Sequence, residues 1–205
     1  MKRIYLIIFG LLFCLSCNSQ TEISEESNIV FNESEAKQIE SEYQKVKQLV
    51  DNIYNSEESK IELYIQENIE SKIERVPNFD NIPESILRSF NIVRGSDNEV
   101  IMIAEYPFSE SGDWDITYES YFDKKGNLIA FVRLSNFFNG QCAEIVKERS
   151  IYYYDKNHIL VKKTYEIKDG EEKSLNFTDC IFNYRYDYTI FVTLSKYFEN
   201  NKFEN

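Results

Sequence analysis

A run of alternating apolar and polar residues in the second half of the chain constrains its fold most. From Trp114 to Phe122 apolar side chains occupy nearly every second position, with acidic or polar side chains between them. This period of two is typical of a β-strand with one face in a core. The run stops at residues 123–127 (DKKGN), where Gly126 suits the positive φ of a tight turn, and apolar residues resume over 128–138. The pattern predicts an antiparallel hairpin.

The same arrangement recurs further along the chain. Residues 145–154 and 159–167 predict two strands, and the segment between them (DKNH) resembles the first turn. A buried-looking strand is expected over 99–108. Asp169-Gly170 is a strong turn dipeptide, so another strand is expected over 171–177. Sequential strands joined by short turns are usually neighbours in a sheet. The sequence therefore predicts an antiparallel meander of six or seven strands within residues 91–205.

The C-terminal segment 186–200 fits two structures. Apolar residues alternate over 186–194 and many of them are β-branched, which favours a strand. Four apolar residues of the same segment also share one face of a helix: Tyr188, Phe191, Leu194 and Phe198. We expect a strand here, with the helix as the alternative.

Residues 32–90 show the period of a helix instead. Asn32 suits a helix N-cap and Glu35 a capping-box partner. A first apolar stripe follows at spacings of three and four: Ala36, Ile39, Tyr43, Val46, Val50 and Ile53. A second stripe predicts another helix over 57–76, and Pro83 at a first helical position predicts a short third one.

These patterns together predict an α+β fold. Helices come first, in a segment over residues 32–90, and the sheet follows over 91–205. A sheet with the helix packed on one face is the simplest arrangement that buries both apolar stripes. We therefore expect residues 32–205 to form one domain.

The first residues of the chain predict its destination. Lys2 and Arg3 precede an apolar run over 4–15, which is too short for a bilayer-spanning helix and typical of a signal peptide. The run ends in Leu15-Ser16-Cys17 and polar residues follow at once. This N-terminus resembles a bacterial lipoprotein signal peptide with its lipobox, although Cys14 stands where leucine is usual.

The resemblance implies cleavage after residue 16 and lipidation of Cys17, which would anchor the protein to the inner or outer membrane of a bacterial cell envelope. An ordinary cleaved secretory signal, with Cys17 incidental, is the alternative. Residues 17–31 are rich in Ser, Glu and Asn and predict a flexible tether.

The net charge bears on the partners of the protein. It is −12 for the whole chain and −14 without residues 1–16. Nucleic-acid binding needs a basic surface, so nucleic acid is excluded as a partner. An acidic protein attracts cationic partners by electrostatic steering. We expect a non-enzymatic module that binds another macromolecule, with a cationic protein as the partner that this charge favours.

Cysteine usage agrees with export. Removal of the signal and lipidation of Cys17 leave Cys142 and Cys180, and an exported chain meets conditions that permit a disulfide. The expected bond would close a loop of about 39 residues and stabilise the fold by about 4 kcal/mol in the chain-entropy model. Two free thiols are the alternative.

The sequence carries no recognised catalytic motif. It has no glycine-rich phosphate loop, no HExxH zinc motif and no GxSxG nucleophile motif. His158, the one histidine, falls in a predicted turn and is expected to be solvated. We therefore predict no catalytic residue, no metal ligand and no cofactor.

Two residue groups allow other functions. The first is a set of aromatic residues on predicted strands, which could line a concave sheet that carries a lipid-like or saccharide ligand: Trp114, Tyr118, Tyr184, Tyr186 and Tyr188. The second is the acidic group Asp113, Asp115 and Glu119, whose paired carboxylates would suit a glycoside hydrolase. The carrier is the alternative to the macromolecule-binding module, and the hydrolase is a remote one.

Overall fold

Among the described residues, an antiparallel sheet of nine strands, the first of only two residues, forms the centre of the fold. The computed structural model describes residues 29–30, 33–56, 60–180 and 187–204. The strands lie in the order β1-β9-β8-β7-β6-β5-β4-β2-β3. Their bounds are Ile29–Val30 (β1), Ile61–Gln66 (β2), Glu74–Val76 (β3), Arg88–Arg94 (β4), Val100–Pro107 (β5), Trp114–Phe122 (β6), Leu128–Phe138 (β7), Ile145–Tyr154 (β8) and Leu160–Asp169 (β9). The α+β class and the antiparallel arrangement are confirmed, but the predicted count of six or seven strands is wrong.

Three of the turns that follow strands are stabilised by the same kind of hydrogen bond from backbone N–H groups to an aspartate side chain. The Asp123 carboxylate accepts hydrogen bonds from the backbone N–H groups of Lys125 and Asn127, both at 2.8 Å. Asp155 and Asp169 each accept two backbone N–H bonds in the same way. Aspartate favours such turns because its short side chain reaches the backbone two residues on. The hairpins predicted at 123–127 and 155–158 therefore form.

Helix α1 (Glu33–Tyr54) lies across one face of the sheet, which we call the α1 face. The predicted stripe faces inward, and Tyr43 is fully buried. Its ring meets those of Tyr121 on β6 and Tyr153 on β8 edge to face, with centroids 5.0 and 5.7 Å apart. Edge-to-face pairs stabilise beyond the apolar area they bury. The apolar face of α1 therefore packs on the sheet.

The helix predicted over 57–76 is wrong, because β2 and β3 occupy the described part of that segment. Both faces of the sheet are covered here, so Leu63 and Ile65 are buried on one face while Tyr64 packs toward Phe203 on the other. A strand that is apolar on both sides loses the alternation that identifies it and can imitate a helical stripe. The helix predicted from Pro83 is also wrong, since residues 82–87 form no helix before β4 begins. Within residues 32–90, α1 is the α-helix that the structure describes.

The tail, residues 187–204, covers the opposite face, which we call the tail face. The predicted strand over 186–194 is wrong: residues 187–193 have no regular structure apart from one bridge, and helix α2 spans Leu194–Asn200. Thr193 caps α2 by accepting a hydrogen bond from the N–H of Lys196. Tyr197 of α2 is buried in the core of the tail face. The sheet therefore lies between two covering layers.

The strand predicted over 171–177 is also wrong. After the turn at Asp169 the chain makes a single bridge, between Lys168 and Ser174, and then a 3-10 turn at Phe177–Asp179. The structure joins Cys180, which follows this turn, to Cys142 in a disulfide with Cα atoms 5.0 Å apart. The bond holds the segment after β9 against the loop between β7 and β8.

Candidate binding site

The aromatic residues singled out in the sequence do not all meet. Tyr118 lies on the tail face of β6 and Tyr188 lies in the tail, and their ring centroids are 5.2 Å apart. Trp114 is buried in the same core but does not line the cavity between these two layers. Tyr184 and Tyr186 lie outside the described residues, as does Cys17, for which the sequence predicts lipidation. The structure therefore brings two of the five together.

A cavity of about 130 Å³ lies between the tail and the sheet. Five aromatic side chains contribute to its wall: Tyr118, Phe131, Tyr188, Phe191 and Tyr197. The other lining residues are polar or charged: Arg88, Glu105, Ser120, Asp187, Thr189 and Asn201. Pockets for drug-sized ligands start at about 300 Å³. This cavity suits a much smaller molecule than a lipid or an oligosaccharide.

The rings of the wall form two groups. Tyr188 stacks on Phe131 with centroids 5.3 Å apart and an interplanar angle of 15°, and Tyr118 completes this group. Phe191 and Tyr197 meet edge to face at 5.4 Å. One group joins the sheet to the start of the tail, and the other lies within the tail. The aromatic wall of the cavity therefore comes from both the sheet and the tail.

Most of the charged side chains that line the cavity form ion pairs. Arg88 donates to the Glu105 carboxylate at 2.6 Å and to the Gln66 side chain at 2.7 Å. Burial raises the pKa of Tyr197 well above its ordinary value, and the nearby Glu105 carboxylate raises it further. Burial also raises the pKa of Tyr118 to about 12. Both phenols remain neutral near pH 7, where they act as hydrogen-bonding walls.

These groups belong to a row of polar side chains that crosses the tail face. Neighbouring strands each contribute one member, since register places diagonal neighbours within reach of each other. Arg133 on β7 donates to Glu148 on β8 at 2.6 Å, and Tyr165 on β9 donates to the same carboxylate at 3.0 Å. The row alternates in charge, so its ion pairs neutralise one another. This arrangement is suited to holding the strands and the cavity wall in place.

Asp115 and Glu119 of β6 lie farther apart than the paired carboxylates of a glycosidase. Asp115 is exposed and accepts a hydrogen bond from Asn136. Glu119 lies beneath α1, where it accepts a hydrogen bond from the Tyr121 hydroxyl at 2.8 Å. Four residues of strand separate these two carboxyls by about 13 Å, which exceeds the spacing of about 5–9.5 Å that glycosidases use. Asp113 precedes β6 at the end of the sheet.

One end of the sheet is strongly acidic. We call it the acidic end, and it consists of loops 67–73, 108–113, 139–144 and 170–180. These loops hold two lysines, Lys72 and Lys173, against eight carboxylates: Glu67, Glu70, Glu110, Asp113, Glu144, Glu171, Glu172 and Asp179. The loops of the opposite end, 95–99, 123–127 and 155–159, carry four carboxylates and three lysines. The charge of the described sheet loops is therefore concentrated at one end.

The acidic end also exposes large apolar side chains. Ile69 is 80% exposed, and four more lie at the adjoining strand ends: Leu87, Phe108, Phe138 and Ile145. Backbone pairing makes Leu87 and Phe108 neighbours, and likewise Phe138 and Ile145. Exposed apolar side chains that cluster, rather than occur singly, mark interaction surfaces.

Comparison of the chain with protein-family models, with curated proteins and with solved structures finds no match. Among the described residues, no three His, Cys, Asp or Glu side chains lie together in a way that could hold a metal ion. In the same part of the chain, neither helix is both long and apolar enough to cross a membrane.

Sequence reasoning missed most of the cavity wall. Phe131 looked like an ordinary strand residue, while Phe191 and Tyr197 belong to the segment that was predicted as a strand. The one available signal was the alternative helical spacing of Tyr188, Phe191, Leu194 and Phe198, which indicated an apolar face turned toward the sheet. Asp187 carried no signal, because its place at the cavity depends on how the tail crosses the sheet.

Proposed function

We propose that this protein is a bacterial lipoprotein, anchored through Cys17 in the cell envelope, whose sheet domain is a non-enzymatic module that binds a cationic protein. The acidic end of the sheet is the observation that carries the proposal. Its carboxylates supply the charge for such a partner, and its exposed apolar side chains supply contact area.

Four carboxylates of the acidic end are available for a partner. Within the described residues, Glu67, Glu70, Glu110 and Glu144 form no ion pair, and all four are exposed. Ion pairs with a partner would therefore not have to replace existing ones. Interfaces combine an apolar centre with a polar rim, and this surface has both components.

Long-range electrostatics add to these contacts. The chain without residues 1–16 carries a net charge of −14, and a concentration of carboxylates at one end orients the field of the molecule. Opposite charges raise the association rate, and dissolved salt weakens this effect. Binding at the acidic end is therefore expected to weaken as salt is added.

The experiment compares two double variants of the full-length chain that each remove two negative charges. Glu67→Gln with Glu110→Gln changes the acidic end, and Glu42→Gln with Glu199→Gln changes exposed carboxylates elsewhere. Envelope proteins retained by each variant are quantified by mass spectrometry at low and at physiological salt. We expect weaker retention with the first pair only, and weaker retention by the wild type at higher salt.

The binding proposal would be contradicted if neither added salt nor the acidic-end substitutions changed the amounts of the retained proteins. The anchor is tested separately by the intact mass of the chain isolated from its cells. We expect a product that begins at Cys17 and carries acyl chains, and a Cys17→Ser variant that is not acylated. An unacylated wild type with its leader still attached would exclude lipoprotein processing.

A further inference from the structure

We propose that the cavity under the tail binds a small alkylated ammonium ion. This inference is independent of the macromolecular partner, because the cavity and the acidic end involve different residues. It depends on the aromatic wall, on the charge balance of the lining residues and on the size of the cavity.

The aromatic wall supplies the recognition of a cation. A ring carries partial negative charge on its face, so a cation within about 6 Å of the ring centroid is attracted to it. Five rings contribute to the wall, from the sheet and from the tail. Alkylated ammonium ions suit such a wall since their positive charge is spread over methyl groups that also make apolar contacts.

Rings on this face of the sheet already meet cations. The guanidinium carbon of Arg88 lies 5.1 Å from the centroid of the Phe90 ring, and that of Arg133 lies 5.9 Å from the centroid of Tyr188. Both arginines also form ion pairs, with Glu105 and Glu148. Their charges are therefore balanced and do not repel an incoming cation as unpaired charges would.

The carboxylate of Asp187 gives the lining of the cavity a charge that favours a cation. It lines the cavity and is exposed, and within the described residues it forms no ion pair. With Arg88 and Glu105 neutralising each other at 2.6 Å, the lining residues that the structure describes carry one net negative charge. A cation is favoured over an anion or a neutral molecule of the same shape.

The volume limits the ligand to a small ion. An engineered cavity of about 150 Å³ holds a benzene molecule, so a cavity of about 130 Å³ has room for an ion of a few heavy atoms. An ion the size of tetramethylammonium, or the trimethylammonium head of choline, is of this order. Tyr188 is 37% exposed, and its neighbours Asp187 and Thr189 are exposed as well, so this side of the cavity borders solvent.

The test is calorimetric titration of the full-length chain, purified in a non-ionic detergent. Choline is the probe, and 3,3-dimethylbutan-1-ol has the same shape without the charge. We expect saturable binding of choline, with binding of the alcohol weaker by about tenfold or more. Glycerophosphocholine, titrated in parallel, distinguishes the source of the ammonium group. Choline binding alone indicates a free ion, and equal binding of both indicates a lipid headgroup.

Variants locate the binding in the cavity. Tyr188→Leu keeps an apolar side chain but removes a ring, and Asp187→Asn removes the negative charge. Each is expected to weaken choline binding by about tenfold. The matched controls are Tyr54→Leu, a similarly exposed tyrosine on α1, and Asp80→Asn, an exposed carboxylate outside the cavity. Both should bind choline as the wild type does.

Three outcomes would overturn the proposal. One is the absence of saturable choline binding, and another is equal binding of choline and the uncharged alcohol. The third is choline binding that neither Tyr188→Leu nor Asp187→Asn weakens, because the ion would then bind elsewhere. Near-wild-type melting curves for both variants ensure that lost binding reports the cavity and not an unfolded chain.

Discussion

Glu119 shows at the scale of one residue how folding changes a carboxyl group. Burial beneath α1 raises its pKa above the ordinary value of 4.5, and the hydrogen bond from Tyr121 offsets part of this rise. The native protein therefore retains this proton at pH values where the unfolded chain has released it. By linkage, the contribution of Glu119 to stability falls as the pH rises above about 4.5.

Replacement by glutamine removes this penalty, because the amide oxygen still accepts the Tyr121 hydrogen bond and carries no charge. We expect Glu119→Gln to melt at a higher temperature than the wild type at pH 7. The difference should shrink as the pH is lowered toward 4.5, because the raised pKa lets the native wild-type carboxyl take up its proton before the unfolded chain does. Melting curves across this range check the prediction, and Glu84→Gln, at an exposed position, is the control. A constant difference across the pH range would contradict it.

Among the elements, α1 depends on tertiary packing more than on its own sequence. Its pairs Lys37–Glu33 and Lys47–Asp51 are solvent-accessible and contribute little. Its buried stripe, centred on Tyr43, packs on the face of the sheet against rings from β6 and β8. Most of the stability of a helix in a protein comes from the packing of its amphipathic face, so attachment to the sheet is what maintains α1.

Tyr43→Ala therefore tests the attachment of the helix. Truncation of a fully buried aromatic ring costs about 3–5 kcal/mol, since it leaves a cavity and removes two ring contacts. We expect a loss of this size in the free energy of unfolding measured with denaturant. Gln48→Ala, on the exposed side of α1, should leave the stability unchanged within error. A loss below about 1 kcal/mol for Tyr43→Ala would mean that α1 is not packed as described.

In the whole molecule, distant parts of the chain are joined at the acidic end and across the tail face. The Cys142–Cys180 disulfide connects the loop after β7 to the segment after β9. The tail connects the turn between β6 and β7 to the start of β3, through backbone hydrogen bonds at Leu128 and Ile73. These connections place the second layer over the sheet.

Removal of the disulfide should lower the stability of the whole domain. The bond spans 38 residues, and the chain-entropy model assigns such a loop about 4 kcal/mol. We expect Cys142→Ser with Cys180→Ser to lose a free energy of unfolding of this order. Denaturant unfolding with and without a reductant provides the control, because reductant should destabilise the wild type and leave the double variant unaffected. Equal stability of the two proteins would contradict the prediction.

The sequence by itself determined the elements whose signals are local. Helix α1 follows from a stripe with one covered face, and the hairpins at Asp123 and Asp155 follow from aspartate turns between strands. These features depend on side chains a few residues apart, so they can be recognised before the fold is known. The alternation of aromatic residues likewise indicated Tyr118 and Tyr188 as candidates for a ligand-facing surface.

Only the tertiary structure decided the identity of β2 and β3, the path of the tail and the composition of the cavity. Because both faces of the sheet are covered at β2, this strand has apolar side chains on both sides and loses the alternation that marks a strand. The cavity gathers Arg88, Phe131 and Asp187 from three separate parts of the chain. Strand register and the crossing of the tail bring these residues together, and a linear pattern does not encode such long-range pairing.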